Sequence, residues 1–246
     1  MIEYIKKTYS GSAEEFHARI TGALEREEKT FVVTANPETY MVARSDPDFH
    51  LVLTDPGTVI VPDGIGALKA MNSLGMETHG RVTGVELSEH LLKEASRLKK
   101  SVYLFGAKPE VNDRLAEIVA EKYPDAVIAG RCDGYVSDRD AVFAKIAALR
   151  PDVVLVALGI PTQEIIIHKH LGMFDKGVFV GVGGSFDVLS GMKKRAPKLF
   201  VKLNLEWLYR IVCEPKRLKR FYQSNVKFFS VLKKEKKALE KASKRA

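Results

Sequence analysis

The sequence contains few cysteines and no long run of apolar residues. Among its 246 residues only Cys132 and Cys213 are cysteines. Two cysteines cannot build a disulfide framework, so we expect a reducing compartment. The N-terminal stretch MIEYIKKTYSGSAEEF has no apolar signal core, and nowhere do apolar residues approach the roughly 18 needed to span a bilayer. These absences argue against a secreted or membrane-spanning protein and indicate a cytoplasmic one, which need not be free in solution.

Metal ligands in a usable spacing are also missing. His168 and His170 are two positions apart, so on a helix they face different directions. The pair Glu164 and His168 does not form the zinc pattern H-E-x-x-H. Asp46-Pro47-Asp48 resembles a metal-binding D-x-D, but Asp-Pro is more typical of a turn. We therefore expect no metal and no cofactor.

Two common nucleotide-binding fingerprints do not occur, although glycine-rich turns are frequent. Neither G-x-G-x-x-G nor G-x-x-x-x-G-K-[ST] is present. Glycine-rich turns follow apolar runs at 64–66, 105–107, 158–161 and 181–184. Taken alone, each of these segments can be explained as a tight turn without any function. Several of them at one edge of a sheet would favour a nucleotide cleft, because glycines let backbone N–H groups approach a phosphate.

Short apolar runs alternate with helical patterns over most of the chain. The predicted strands are 31–34, 51–54, 59–61, 102–105, 126–129, 153–158 and 178–182. The predicted helices cover 12–27, a segment starting at Asn36-Pro37, 65–74, 109–122, 138–149 and 161–170. Strands that are apolar throughout indicate a sheet buried on both faces, and therefore parallel. The pattern predicts an α/β fold: a Rossmann-like, doubly wound, mainly parallel sheet.

The C-terminal part differs in charge and pattern. Residues 192–246 hold 18 lysines and arginines against four glutamates, a net charge of +14, whereas residues 1–191 carry −6. From about Leu199 the strand pattern stops, and helices are predicted over 199–213 and 216–232, with a helical or frayed lysine-rich end. We predict an α/β catalytic domain over 1–197 and a basic, aromatic helical appendage over 198–246.

The appendage has three interpretations. Arg210, Arg217 and Arg220 are spaced by seven and three residues, near one face of a helix. The aromatic residues between and around them are Trp207, Tyr209, Phe221, Tyr222, Phe228 and Phe229. This pattern suits a solvated helix packed onto the body, an interfacial helix on anionic lipid, or a nucleic-acid patch. No helix-turn-helix, RRM or zinc knuckle is apparent, so the membrane interpretation is favoured over nucleic acid.

Polar side chains follow several predicted strands. Asp63, in Pro62-Asp63-Gly64, can be a turn residue or a catalytic base at the carboxyl end of a strand. Asn36 can cap a helix or, together with Thr34, point into a cleft. Asp187 can also cap a helix, or can accept hydrogen bonds from a base or a sugar. The residues alone leave these alternatives open.

Eight segments, taken together and in order, resemble one family. They are TANPE (34–38), VPDGIG (61–66), RVTGVEL (81–87), GIPTQE (159–164), GVGGSFD (181–187), KRAP (194–197), LEWLYR (205–210) and EPKRLKRF (214–221). Over roughly residues 30–222 the chain resembles bacterial glycosyltransferases of the WecG/TagA/CpsF family. Two other classes remain as alternatives: a Rossmann-like nucleotide-binding protein or dehydrogenase, and a nucleic-acid binder that uses the basic appendage.

The resemblance implies a metal-independent, inverting hexosyltransferase at the cytoplasmic face of the membrane. It would move N-acetylmannosamine from a UDP-sugar to undecaprenyl-diphosphate-linked GlcNAc, in the synthesis of teichoic acid or a surface polysaccharide. By matching position, Asp63 would be the general base. Thr34, Asn36, Arg81 and Gln163 would line the sugar and acceptor pocket, and Gly183, Gly184 and Asp187 would belong to the UDP site. Arg210, Arg217 and Arg220 would lie over the cleft. Homo-oligomerisation stays open.

Overall fold

A computed structural model describes residues 1–197, 199–200, 205–215, 218 and 222–243. The strands form one six-stranded sheet with the order β2-β1-β6-β5-β3-β4, in which all neighbours are parallel. The strands are β1 Thr30–Ala35, β2 Thr58–Pro62, β3 Ser101–Gly106, β4 Val127–Cys132, β5 Val153–Ala157 and β6 Val178–Gly181. The predicted α/β class with a parallel sheet is confirmed.

Helices cover both faces of this sheet. Those of the N-terminal half are α1 Ile2–Lys7, α2 Ala13–Glu25, α3 Pro37–Ser45, α4 Pro47–Thr54, α5 Ile65–Ser73 and α6 Gly84–Arg97. The later ones are α7 Pro109–Lys122, α8 Arg139–Leu149, α9 Thr162–His170, α10 Ser185–Leu189, α11 Glu206–Cys213 and α12 Lys227–Ser243. A 3₁₀ turn covers Leu171–Met173, and a π-helical turn covers Tyr222–Val226.

Two apolar layers hold the helices to the sheet, because successive strand residues point to opposite faces. In β1, Phe31 and Val33 join the layer that packs on α3, α4, α5 and α9. Val32, between them, joins the layer that packs on α2, α6 and α7. All three side chains are buried. Both faces of the sheet are therefore dry, and its strand ends are left as the place for a ligand.

The N-terminal helix signals seen in the sequence act as predicted. Ser12 and Glu15 form a capping box at the start of α2. Asn36 caps α3, with Pro37 as its first helical residue. Asp46 both ends α3 and caps α4, so the Asp-Pro sequence joins two helices in a tight turn.

Two parts of the predicted secondary structure were wrong or incomplete. The apolar run 51–54 is the last turn of α4 and not a strand. Its sequence matches a short strand, but Asp46 and Pro47 start a helix upstream that continues through it, with Phe49, Val52 and Leu53 buried. Helix α6 was not predicted, because it begins at Gly84, an unfavourable helix residue; the Thr83 side chain provides its cap.

The described part of the C-terminal region is mostly helical and contains no strand. Residue 205 is not helical, so the predicted helix 199–213 is not continuous, and α11 begins at Glu206. Helix α12 covers Lys227–Ser243, so the lysine-rich end, predicted to be helical or frayed, is helical as far as it is described. Phe228 and Leu232 of α12 are buried in the apolar layer on the α3 side of the sheet.

Candidate active site

A large cleft lies at the carboxyl edge of the sheet. Its volume is about 790 Å³, within the usual range for a small-molecule site. The part from the sheet is lined by Thr34, Asn36, Glu38, Asp63, Thr83, Gly84, Gly159, Gln163, Gly183, Gly184, Ser185 and Asp187. Lys193 and Lys194, near the end of the body, also line it, and the C-terminal region contributes Glu206, Trp207, Tyr209, Ile211, Cys213, Glu214, Ser224 and Asn225. The predicted site residues of the body thus converge at adjacent strand ends, with Arg81 as the exception.

Asp63 sits at the end of β2, where the backbone fixes its place. Its N–H donates to the carbonyl oxygen of Ala35 at 2.8 Å, which extends the pairing of β1 with β2 by one residue. The next residue, Gly64, has φ +96 and stands before α5, a conformation that favours glycine. The backbone N–H of Gly84 donates to Asp63 Oδ2 at 3.4 Å. Asp63 is therefore a turn residue and a cleft residue at the same time.

Thr34 and Asn36 line the cleft next to Asp63, on the neighbouring strand β1. Thr34 is buried, and its hydroxyl donates to the carbonyl oxygen of Gly181 at 3.3 Å. Asn36 Oδ1 accepts hydrogen bonds from the N–H groups of Glu38 and Thr39 at 2.9 and 3.2 Å. The cap and the cleft interpretations of Asn36 therefore hold together: its oxygen is committed to the helix while the residue still faces the cleft.

The Gln163 side chain is buried beneath the loops that follow β5 and β6. Its Oε1 accepts hydrogen bonds from the N–H groups of Gly159 and Gly183, at 3.1 and 3.0 Å. Its Nε2 donates to Oε1 of Glu164 at 2.6 Å. Glu164 is fully buried, and burial raises the pKa of its carboxyl to about 7, against the opposing hydrogen bond from Gln163.

The loop after β6 supplies Gly183, Gly184 and Asp187. Gly183 has φ +47, and this turn presents backbone to the cleft. Asp187 lies in the short helix α10, with its Oδ2 3.5 Å from Nζ of Lys193. The same ammonium is 3.2 Å from Glu214 Oε1, a residue of the C-terminal region. Lys193 and Lys194 bring positive charge to the cleft on the sheet side, which the sequence did not single out as site residues.

Arg81 contacts the C-terminal region and is not among the cleft-lining residues. Its Nη1 donates to Glu206 Oε2 at 2.7 Å, and both side chains are only 16% exposed. Glu206, in contrast, lines the cleft. The role of Arg81 in the sugar and acceptor pocket stays a prediction; in the structure its side chain contacts Glu206, which does line the cleft.

The three arginines predicted over the cleft lie beyond the structural description. Arg217 and Arg220 are outside the described residues, and only the backbone of Arg210 is described, within α11. Trp207 and Tyr209 of the same helix do line the cleft. The sequence analysis placed both aromatic residues in the appendage without assigning them to the site, although their position within the LEWLYR motif was the available signal.

No group of three metal-ligating His, Cys, Asp or Glu side chains occurs in the part of the chain that the structure describes. Metal independence nevertheless stays a prediction. Across the same residues, no helix combines the length and apolar character that crossing a bilayer requires.

An all-parallel, Rossmann-like sheet with a polar cleft at adjacent strand ends defines the class: an α/β protein that binds its ligand at the carboxyl edge of the sheet. The chain belongs to the WecG/TagA/CpsF family of glycosyl transferases, whose family model matches residues 5–242. The family assignment makes it a glycosyltransferase, as the sequence motifs predicted.

Several relatives are similar over most of their length. The chain is 42% identical to the N-acetylglucosaminyldiphosphoundecaprenol N-acetyl-beta-D-mannosaminyltransferase of Bacillus spizizenii, covering 87% of this chain and 83% of the relative. It is also 42% identical to the enzyme of that name from Bacillus subtilis, covering 83% and 80%. The Staphylococcus aureus (strain MRSA252) enzyme of that name is 36% identical, covering 84% and 81%.

Proposed function

We propose that the protein transfers N-acetylmannosamine from a UDP-sugar to undecaprenyl-diphosphate-linked GlcNAc, with inversion and without a metal, in teichoic acid or surface polysaccharide synthesis. The relatives carry the acceptor and the transferred sugar in their names. The single observation that supports the chemistry is the placement of Asp63, which a backbone turn holds on the floor of the cleft.

The reaction needs one base and one stabilised leaving group. The acceptor hydroxyl oxygen forms a bond to the anomeric carbon of the donor, while the bond from that carbon to the diphosphate oxygen breaks. Asp63 takes the proton of the hydroxyl as the oxygen attacks. UDP departs on the opposite face, so a UDP-α-sugar gives a β-linked product. A single carboxylate suffices, because the diphosphate leaves as an anion and needs no general acid.

The negative charge on the departing diphosphate needs donors and cations. The turn after β6 can offer the backbone N–H of Gly184, since that of Gly183 is committed to Gln163, and Lys193 and Lys194 lie on the same lining. Arg210, Arg217 and Arg220 are the stronger candidates in chemical terms, because a guanidinium pairs with phosphate oxygens in a bidentate manner. Donors aimed at developing charge are often the largest catalytic contribution. Asp187 is the candidate partner of the UDP base or ribose.

The acceptor is a lipid, so we also propose that the C-terminal region holds the protein on the inner face of the membrane. Helix α11 exposes Trp207, Leu208 and Val212, the last of them 69% exposed. Residues 192–246, the part of the sequence that contains this helix, carry a net charge of +14. Apolar side chains flanked by lysines and arginines favour the interface of an anionic bilayer. The entrance of the cleft would then face the lipid that carries the acceptor.

A donor-panel assay tests the proposal. Purified protein is incubated with a lipid-diphosphate-GlcNAc analogue and UDP-N-acetylmannosamine, its uronic acid or UDP-glucose, with and without EDTA, and released UDP is measured. We expect UDP release with UDP-N-acetylmannosamine that EDTA does not reduce, and a β-linked product by NMR. No acceptor-dependent UDP release from any donor would contradict the transferase. Loss of release with EDTA, restored by a divalent cation, would contradict metal independence alone.

A further inference from the structure

Both polar atoms of the Gln163 amide are committed inside the protein. The side chain is only 2% exposed, and its Oε1 accepts two backbone hydrogen bonds, from Gly159 and Gly183. These glycines follow β5 and β6, which are neighbours in the sheet. One amide oxygen therefore joins the two loops that form adjacent parts of the cleft floor. Gln163 acts on the shape of the floor, whatever it contacts in a ligand.

Glu164 accounts for the other end of that amide. Two N–H donors on one side require the amide oxygen there, since the reverse orientation would set an NH₂ group against two N–H groups. The amide nitrogen must then point the opposite way, where Glu164 Oε1 accepts from it at 2.6 Å. The contact is tight on the sheet side as well: a Cβ on Gly181 would lie 2.8 Å from Gln163 Nε2 and 2.9 Å from Glu164 Oε1.

Glu164 is costly to keep in this place. Its side chain is fully buried, and its second oxygen, Oε2, has no hydrogen-bond partner among the residues the structure describes. A buried polar atom without a partner destabilises a fold. A leucine or methionine would fill the same volume without that penalty. Costs of this kind are typical of groups kept for function rather than for stability.

We propose that Glu164 is a positioning residue for the transfer reaction: it holds the amide of Gln163 in the one orientation that ties the loops at Gly159 and Gly183 together. The floor of the cleft is thereby fixed before a ligand binds. The link to catalysis rests on the proposed transferase function, whereas the effect on the two loops does not.

The test compares Glu164→Leu with Glu164→Gln in the full-length protein. Leucine removes the acceptor and the unpartnered oxygen together, so we expect kcat to fall about 10- to 100-fold, as a misplaced floor would cause, with little change in KM. The melting temperature should change little, because losing the unpartnered Oε2 offsets losing the acceptor of the buried Gln163 Nε2. Glutamine keeps an acceptor oxygen at the same distance, so kcat should stay within about threefold of the parent.

A mutant cycle with Gln163→Leu gives a second measurement. If both residues act through one amide, the double variant should be no slower than the worse single variant, instead of showing the product of the two effects. Multiplying effects would overturn the proposal. An unchanged kcat in Glu164→Leu would also overturn it, as would a Glu164→Gln variant as slow as Glu164→Leu. A fall in kcat that follows a fall in melting temperature would show a structural role only.

Amide hydrogen exchange separates this proposal from the proposed function. In Glu164→Leu, the N–H groups of Gly159 and Gly183 should exchange faster than in the parent, and in Glu164→Gln they should not. This readout needs no substrate, so it decides the positioning role even if no donor is ever turned over. Unchanged exchange in Glu164→Leu overturns the proposal. Should that variant fail to fold, Glu164→Met, which is unbranched and removes the same acceptor, replaces it.

Discussion

The body, residues 1–197, and the appendage, residues 198–246, contribute to the same cleft by different means. In the body, site residues follow strand ends, and ladder hydrogen bonds fix them: Asp63 bonds to Ala35 across the β1–β2 pair. In the appendage, side chains reach the cleft from helices that attach through a few contacts. Those contacts include the ion pair of Arg81 with Glu206 and the burial of Phe228 and Leu232.

The difference assigns separate tasks to the two regions. A floor held by backbone hydrogen bonds has little freedom, which suits a base that must meet one hydroxyl. A wall held by side chains can detach and return at a modest cost in free energy. Such a wall suits admission of a bulky nucleotide sugar and a lipid, followed by exclusion of water. Four experiments, from the largest expected effect to the smallest, bear on this separation.

Replacing Asp63, the proposed base, should slow transfer strongly without affecting the fold. For Asp63→Asn we expect kcat to fall about 10²- to 10⁴-fold, the usual contribution of a general base. The melting temperature should hardly change, because the backbone bonds of the turn remain. The matched control is Asp125→Asn, an exposed carboxylate far along the chain from the site, which should leave kcat unchanged. Near-normal UDP release by Asp63→Asn would disprove the base assignment.

Removing the aromatic anchor should loosen the appendage alone. Phe228 is fully buried and stacks with Tyr40 at a centroid distance of 5.9 Å. Phe228→Ala should therefore remove about 3 to 5 kcal/mol of packing free energy. We expect faster amide hydrogen exchange in α12, while the amides of the strands stay protected from exchange. The adjacent Phe229 is 37% exposed, and Phe229→Ala serves as the control, with a much smaller effect. Equal loss of protection in the strands would show that the two regions unfold as one.

The two regions should respond to pH in opposite directions. Glu164 in the body has its pKa raised to about 7 by burial, so between about pH 4.5 and 7 the folded state binds more protons than the unfolded state. Stability is then lost as pH rises through that window, by about 3 kcal/mol in total. We expect the free energy of unfolding, measured by urea titration from pH 4.5 to 8, to fall more steeply with rising pH in wild type than in Glu164→Gln. The same pH dependence in both proteins would contradict this prediction.

In the appendage, Glu235 is the matched control for that titration. Burial alone would raise its pKa, but hydrogen bonds from Arg44 and the N-terminal ammonium outweigh burial and lower it. Its contribution to stability is therefore present above the unfolded pKa and is lost as pH falls. For Glu235→Gln we expect the difference from wild type to shrink towards acid pH. A difference that grows towards acid pH would contradict the assigned ion pairs.

The smallest effect should appear at the membrane. The substitution Val212→Glu, at an exposed position of α11, should reduce flotation of the protein with anionic liposomes several-fold. High salt should weaken the remaining binding to the liposomes. The control is Val127→Glu, at a valine of the body that is also well exposed, at 55%; this variant should float like the parent. If both variants float equally, α11 does not touch the bilayer.

Local sequence signals predicted the strands well because five of the six observed strands are apolar runs buried almost throughout, and only the edge strand β4 is partly exposed. The run 51–54 failed because four apolar residues fit a strand or a helix end equally, and only the cap at Asp46 decides between them. For the site, strand ends and family motifs brought Asp63, Asn36 and Gly183 to one edge. The sequence could not predict contacts between distant residues, such as the Arg81–Glu206 pair, or the burial of Glu164.

The pairing of β1 with β6 has a consequence for how the protein is made. Thr30 lies opposite Val178 in the middle of the sheet, and contacts so distant along the chain form late, because a long loop must close first. On the ribosome, the centre of the sheet must wait until the sixth strand has emerged. Since Thr34 in β1 and Gly183 just after β6 both line the cleft, an unfinished chain has no complete cleft floor.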